Sequence, residues 1–269
     1  MNRPFLKWPG GKYRLIERIT AVLPEGNKLI EPFVGSGAVF LNTSYKHYVL
    51  NDANRDLITL YQLLQQKGEA FINFAKTFFT KKNNSEKRYY ILREKFNKAK
   101  DPIERSALFL YLNRHGYNGL CRYNTKKGEF NVPFGRYLNP YFPEKELYFF
   151  YKKSKQAIFV CEDFSATLRR AAKGVVVYCD PPYVPLSATA QFTSYRAGGF
   201  SLSEHNKLLI EVKGLVKKGI SVLISNHSTE FTRNLYADAR LNEFSVQRFI
   251  SCKPKSRQAV LELLALFKP

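Results

Sequence analysis

The chain has 269 residues, 45% of them hydrophobic and 15% aromatic, which is length for two structural units and too apolar for a disordered segment. Its 43 basic and 22 acidic residues leave a net charge of +21, which points to a polyanionic partner, nucleic acid first among them. No apolar run approaches membrane-spanning length and the amino terminus lacks a signal-peptide core, so neither a membrane span nor a leader is expected.

The first informative segment is Phe5-Leu6-Lys7-Trp8-Pro9-Gly10-Gly11-Lys12-Tyr13, with paired glycines between Trp8 and Lys12. It reads as a loop folding over a charged, partly aromatic ligand, or as an ordinary turn with Trp8 as a core anchor. A helical pattern follows over 12–22 and an apolar strand over 28–31. Glu31-Pro32-Phe33-Val34-Gly35-Ser36-Gly37 leaves that strand and opens a helix near Ala38. Glycines there let backbone approach a ligand closely, as in nucleotide-binding loops. The loop lacks the Lys-Ser/Thr pair of a triphosphate site and is one glycine short of a dinucleotide fingerprint. Asn51-Asp52 ends the next strand, 48–51, and a carboxylate at that place suits ribose hydroxyls. A strand–turn–helix ending in aspartate is also a common structural unit.

A helix over 55–66 precedes a change of rhythm. Helices over 69–80, 85–98 and 103–113, then a Gly- and Pro-rich hairpin region over 116–137, read as an insert between two halves of one sheet. From Lys76 to Lys155 there are 19 basic and 7 acidic residues, with 18 of the chain's 40 aromatic residues. Such interleaving suits a surface that grips phosphates and stacks on bases. It also suits a helical subdomain with an aromatic core and solvated lysines. Leu108, Phe109, Tyr111 and Leu112 sit at helical spacing and belong to a core under both readings.

Strands over 157–161, 175–179, 220–225 and 244–250, with helices over 203–218 and 230–236, restore the alternation. Residues 259–267 read as a terminal core strand. The whole predicts an α/β sheet. Val175-Val176-Val177-Tyr178-Cys179 reads as a strand buried on both faces, and Asp180-Pro181-Pro182-Tyr183 ends it. One carboxylate, carbonyls that no proline N–H crowds and one ring are then presented together, which suits a planar amino group. A solvated Asp180 in a proline turn fits those four residues equally well. Cys121, Cys161, Cys179 and Cys252, like the four histidines, stand at no metal or redox spacing, so no metal is expected and a reducing cytoplasm fits.

Taken together, these motifs resemble the Dam family of DNA adenine N6-methyltransferases nearly end to end. The order matches: Phe-Leu-Lys-Trp-Pro-Gly-Gly-Lys, Glu-Pro-Phe-Val-Gly-Ser-Gly, an insert, then Asp-Pro-Pro-Tyr. Longer strings carry more weight. They are Phe109-Leu110-Tyr111-Leu112-Asn113-Arg114, Gly116-Tyr117-Asn118-Gly119-Leu120-Cys121-Arg122-Tyr123-Asn124, Phe130-Asn131-Val132-Pro133-Phe134-Gly135 and Pro185-Leu186-Ser187-Ala188-Thr189-Ala190.

The resemblance implies a Rossmann-like methyltransferase sheet with an inserted, mainly helical DNA-recognition domain carrying a β-hairpin. Residues 1–56 and 146–269 would form the catalytic domain and 57–145 the recognition domain. It implies S-adenosylmethionine as methyl donor, S-adenosylhomocysteine as product, double-stranded GATC as substrate, and a cytoplasmic, nucleoid-associated enzyme. A monomer is the simpler expectation. Trp8, Lys12, Asp52 and Asp180 would contact the cofactor, with Phe33, Gly35 and Gly37 against it and Asp163 and Phe164 beside its adenine.

Asp180, Pro181, Pro182 and Tyr183 would form the catalytic clamp, with Asp180 and the Pro181 carbonyl accepting the amino hydrogens and Tyr183 stacking on an extruded adenine. Tyr117 would fill the gap in the duplex and Asn118 would neighbour the orphaned thymine. Arg122, Leu120 and Pro133 would read bases, Lys7 would reach the first guanine and Tyr137 a flanking position. Arg93, Arg114, Asn124 and Asn131 complete the DNA-binding candidates.

Two departures from the family stand near expected DNA contacts. Pro254 stiffens the segment 251–258, where relatives carry glycine, and the region of residues 125–127 is one residue longer. Residues 196–199 read as a loop near the active site. Two other readings stand beside the leading one. A methyltransferase for cytosine N4 or a protein glutamine uses the same clamp, but the glutamine type carries Asn where this chain has Asp180. A non-catalytic DNA-binding relative would have lost Asp180, Tyr183 or the glycine loop.

Overall fold

The computed structural model describes residues 1–184, 200–247 and 259–269. The string at 185–190, the loop at 196–199, strand positions 248–250 and the segment 251–258 with Cys252 lie outside the described residues.

Among the described residues, seven strands form one mixed sheet: β1 (Lys28–Glu31), β2 (His47–Asn51), β3 (Ala157–Val160), β4 (Val175–Cys179), β5 (Ser221–His227), β6 (Arg240–Gln247) and β7 (Ala259–Phe267), in the order β3-β2-β1-β4-β5-β7-β6. The pairs β2/β3, β1/β4 and β4/β5 are parallel, while β7 runs antiparallel to β5 and to β6. Every residue of β4 is buried, as its unbroken apolar run requires of a central parallel strand. By contrast, β6 is largely exposed and begins at Arg240 rather than 244. Its first residues, Arg-Leu-Asn-Glu, are those of an edge strand facing water, which an apolar pattern does not mark. β5 continues past its apolar run through Asn226 and His227, whose buried side chains find backbone partners.

The chain divides into two compact units, Met1–Glu17 with Val34–Glu162 and Arg18–Phe33 with Asp163–Pro269. In the first, α2 (Ala38–Leu41), α3 (Arg55–Lys67), α4 (Glu69–Lys76), α5 (Glu86–Lys98), α6 (Pro102–His115) and α7 (Glu144–Ser154) accompany β2 and β3. The expected helix over 12–22 splits into a 3-10 turn, Lys12–Leu15, and α1 (Ile16–Val22). Helix α4 stops at Lys76, short of 80, because the next amides turn back to carbonyls three residues earlier: Thr77 to Phe74, Phe78 to Ala75 and Phe79 to Lys76.

Helix α6 is the centre of this unit. It is buried from Ser106 to Asn113 and packs on α3, α4 and α5, so it shows no polar face. Asp101 caps it by accepting from the Ile103 and Glu104 amides, and Pro102 fills the first turn. The following hairpin is irregular, with isolated antiparallel bridges at Gly116–Phe134 and Tyr123–Phe130. Helix α7 was absent from the sequence expectation. Its Leu147, Phe150 and Ser154 face inward at helical spacing, but Tyr148, Phe149 and Tyr151 blur the pattern.

The second unit carries β1 and β4–β7 with α8 (Phe164–Leu168), α9 (Leu202–Lys217) and α10 (Glu230–Leu235). Ser201 and Glu204 close a capping box on α9, and Asp163 caps α8 through the Ser165 amide. The five-residue α8 is too short for a periodic signal and was also unread.

The α6 cap is open to a direct check. Asp101→Ala should cost about 1 kcal/mol in urea denaturation, whereas Asp101→Asn, which still accepts from the same amides, should lose much less. Equal losses would show that charge rather than capping matters there.

Candidate active site and nucleic-acid interface

The glycine loop of the first unit is built around Asp52. The Gly35 amide donates to Asp52 Oδ2 at 3.1 Å and the Asn54 amide to Oδ1 at 2.9 Å. Burial pushes the Asp52 carboxyl pKa upward, and these two amides oppose the shift. The Tyr61 hydroxyl donates to the Gly35 carbonyl at 2.6 Å and fixes the loop from below. Gly35 sits at φ +47°, and a Cβ there would meet the Trp8 indole Nε1 at 3.0 Å. Glycine thus lets Trp8 lie against the loop. Gly37, at φ +73°, starts α2. Lys12 is buried, and its ammonium donates to the Gly10 carbonyl at 2.6 Å. Trp8, Gly35 and Asp52 are therefore brought together, with Gly11 donating to the Trp8 carbonyl at 3.1 Å.

In the second unit, Phe33 and Phe164 lie 5.6 Å apart between ring centroids, and Phe200 packs on both at 5.6 and 5.5 Å. Asp163 is exposed beside them, with Lys207 at 3.3 Å. Burial, the largest single influence, pushes its carboxyl pKa up, but the Ser165 hydrogen bonds together with the Lys207 hydrogen bond and charge carry it below the ordinary value.

Asp180 follows β4, and its Oδ1 accepts from the Ser225 hydroxyl at 2.8 Å. Pairing of Cys179 with Ile224 in the parallel register brings Ser225 alongside. Ser225 also lies 3.0 Å from the Tyr178 hydroxyl. With one hydrogen to give, it donates to Asp180 over its shortest contact and accepts from Tyr178. The backbone beyond is pinned by β5. Val184 N–H donates to Asn226 Oδ1 at 3.1 Å, and its carbonyl meets His227 Nδ1 at 2.8 Å. Pro181 is buried and Pro182 exposed. The Tyr183 ring stands edge-on to His227, and its hydroxyl donates to Glu262 Oε2 at 3.2 Å. Burial, with Asp180 and Glu262 nearby, holds that hydroxyl pKa well above the ordinary value. Tyr183 therefore acts as a ring and a donor rather than as a base.

The nucleic-acid candidates gather at the carboxyl end of α6. The Asn113 amide accepts from Lys7 N–H at 2.9 Å and donates to the Lys7 carbonyl at 2.7 Å, joining residues 106 apart in sequence. The Lys7 ammonium lies 3.7 Å from the Tyr137 ring centre, and the Tyr137 hydroxyl accepts from Asn118 N–H at 3.0 Å. A Cβ on Gly119 would fall 2.2 Å from the Lys7 Cβ, so only glycine allows this approach. Asn118 takes a left-handed φ of 52°, and neighbouring Tyr117 is 45% exposed with its amide on the Pro133 carbonyl at 2.9 Å.

Arg122 is exposed and donates to Asn131 Oδ1 at 2.7 Å across the hairpin. Leu120 is half-buried and Pro133 exposed. Asn124 accepts from Lys126 N–H at 2.8 Å and shapes the hairpin tip. Arg93 and Arg114 serve their own unit as well, donating to the Val132 carbonyl at 3.0 Å and the Tyr141 carbonyl at 3.1 Å. Among the described residues, no group of three acidic, His or Cys side chains could hold a metal ion.

A family model described as D12 class N6 adenine-specific DNA methyltransferase matches residues 8–250. The chain belongs to this family. The DNA adenine methylase of Escherichia coli strain K12 is 52% identical over 268 residues, covering 100% of this chain and 96% of that protein. The Serratia marcescens DNA adenine methylase is 53% identical over 268 residues, covering 99% of each. That of Vibrio cholerae serotype O1, strain El Tor Inaba N16961, is 53% identical over 269 residues, covering 100% and 97%.

For a methyltransferase of this class, sequence reasoning passed over several residues that organise the site: Ser225 at Asp180, Glu262 at Tyr183, Phe200 in the ring cluster and Asn113 at Lys7. Asn113 left a trace, as a buried amide directly after the apolar run 107–112 of the helix. The others are partners across the sheet or between distant elements and leave no local pattern.

The Lys7 ammonium is half-buried, and burial together with the Arg114 charge lowers its pKa to about 8. A DNA phosphate or guanine edge at Lys7 would favour the cationic form. Affinity for a duplex should therefore fall as pH rises through 8 at fixed ionic strength, by up to about tenfold per unit above it. Fluorescence anisotropy between pH 7 and 9 checks this, and Lys7→Met should flatten the profile.

Proposed function

We propose that the protein transfers a methyl group from S-adenosylmethionine to N6 of adenine in double-stranded GATC, acting on an adenine flipped out of the duplex. The observation that carries the reading is the Asp180 carboxylate, held by Ser225 where a buried parallel strand gives way to two prolines and a tyrosine. The cofactor calls for a ribose acceptor, an apolar face for its base and a cation for its carboxylate. Desolvated Asp52, the rings of Phe33, Phe164 and Phe200, and the buried Lys12 fit those needs. Asp163 would border the adenine.

When bound, S-adenosylmethionine supplies the methyl group on an electrophilic sulfonium. The chain supplies positioning. Asp180 and the Pro181 carbonyl accept the two amino hydrogens, which turns the nitrogen lone pair out of conjugation with the ring and aims it. Pro182 stiffens the clamp and Tyr183 stacks on the base. Its hydroxyl, anchored on Glu262, keeps the ring from swinging. Transfer would be a direct in-line displacement without a covalent enzyme intermediate: the N6–methyl bond would form as the sulfonium–methyl bond breaks, S-adenosylhomocysteine would leave, and one amino proton would pass to water.

An adenine inside a duplex hides its amino group, so it must leave the stack. Exposed Tyr117 is suited to fill the gap, with Asn118 at the orphaned thymine. Arg122, turned outward on Asn131, offers two donors to a guanine edge, and Leu120 and Pro133 complete the base contacts. Lys7 would reach the first guanine and Tyr137 the flank. Arg93, Arg114 and Asn124 hold the backbone side of the interface, and residues 57–145 act as the recognition insert. The enzyme works as a monomer on nucleoid DNA in the cytoplasm. No helix of the described residues is long and apolar enough to cross a membrane.

Plasmid DNA incubated with protein and S-adenosylmethionine should become resistant to a nuclease that cuts only unmethylated GATC and sensitive to one that cuts only methylated GATC. Full cutting by the first, with cofactor binding confirmed, would defeat the reading. Asp180→Ala should abolish methylation while DNA affinity stays within a few-fold. Arg122→Ala should relax base choice by about 1–3 kcal/mol, whereas replacing one exposed lysine of the insert should weaken all sequences alike and flatten the salt dependence.

A further inference from the structure

The loop that presents Asp52 also grips the hairpin that carries Arg122. Asn54 uses its whole amide group. Its backbone N–H donates to Asp52 Oδ1 at 2.9 Å, its Oδ1 caps α3 by accepting from Leu57 N–H at 3.1 Å, and its Nδ2 donates to Cys121 Sγ at 3.2 Å. Two residues on, Asp56 accepts a two-pronged pair from Arg105 of α6, at 2.6 and 3.0 Å. The Asp56 Oδ2 also accepts from the Tyr123 hydroxyl at 2.6 Å. Cys121 and Tyr123 meet at 3.9 Å from sulfur to oxygen, and burial raises the Cys121 thiol pKa to about 12.

From 121 to 123 the side chains alternate in direction, as their hydrogen bonds show. Cys121 and Tyr123 turn toward the loop, and Arg122 between them turns outward onto Asn131. The other arm is closed by Asn131 N–H donating to the Arg122 carbonyl at 3.0 Å and by Phe130 against Tyr123 at 5.6 Å. Hydrogen bonds to the charged, desolvated Arg105–Asp56 pair are stronger and stiffer than neutral ones.

We infer that Asn54 and Asp56 are positioning residues for base discrimination: through Cys121 and Tyr123 they aim Arg122 from the loop that presents Asp52. This rests on the proposed roles of Asp52 and Arg122. Both act through protein partners: Asn54 through Cys121, and Asp56 through Tyr123 and Arg105. One short loop thereby sets the base reader and the cofactor acceptor in a common frame.

The test uses the full chain with Tyr123→Phe, which keeps the ring and removes the hydroxyl, and Asn54→Ser, which keeps the cap and removes the donor to sulfur. Single-turnover kcat/KM is measured on a GATC duplex and on duplexes with one base of the site changed, beside affinity for S-adenosylhomocysteine. Each variant should lower the ratio of cognate to altered-site kcat/KM by about tenfold, with product affinity for Tyr123→Phe kept within about twofold. Where a variant is inactive, the same ratio is read from equilibrium DNA binding. Unchanged ratios in both variants, or equal losses on every sequence, would overturn the positioning role. A wild-type protein without preference for GATC would instead overturn the functional reading itself.

Discussion

Strands buried on both faces leave polar chemistry only to the residues where they end, because an unpaired polar group inside costs several kcal/mol. β2 and β4 both obey this constraint. Each runs apolar to its last residues and then releases an aspartate, Asp52 or Asp180. Each carboxylate is then held by groups that donate to it: the Gly35 and Asn54 amides at Asp52, the Ser225 hydroxyl at Asp180. Those donors lie in segments that the sheet and its turns place there, so the fold orients both acids before any ligand arrives. Their surroundings separate their tasks. Backbone donors in a glycine turn suit a hydroxyl-bearing ligand, and a proline-stiffened carbonyl run with a tyrosine suits an amino group.

Inside the first unit the same constraint shapes the candidate interface. Helix α6 has no polar face to spare, so Asn113 stands out as an amide spent on tying Lys7 to the hairpin base. Gly119 makes the close approach possible, and Asn118 accepts a left-handed backbone so that Tyr117 and Tyr137 take their places. Burial also lowers the Lys7 ammonium pKa below that of an exposed lysine, which fits the proposal that this side chain sheds water to meet a base. Arg122 and Tyr117, proposed for base reading and for filling the gap, are both exposed.

The fold was legible wherever burial imposed a simple period. β1, β4 and β7 have the bounds that their apolar runs mark, and α3, α5, α6 and α9 differ from theirs by a residue or two. Legibility failed where water or shortness removed the period: at the polar start of β6, at five-residue α8 and in aromatic-rich α7. The hairpin was seen as a region, but its pairing is two isolated bridges rather than a ladder. At the candidate site, Asp52, Asp180 and Tyr183 stood out by their places at strand ends, whereas Lys7 and Arg122 entered only through the family resemblance. Their holders did not stand out. Ser225 is 45 residues from Asp180 and Asn54 is 67 from Cys121, and a serine or asparagine carries no sign of what it will meet across such distances.

The central claim is that the Asp180 clamp serves an adenine amino group chosen by its place in GATC. The most direct measurement is mass spectrometry of deoxynucleosides from duplexes incubated with the protein and isotopically methyl-labelled S-adenosylmethionine. The account predicts label in N6-methyldeoxyadenosine alone, from duplexes that contain GATC and not from those where the site is scrambled. Label in N4-methyldeoxycytidine, or equal label from scrambled duplexes, would contradict it.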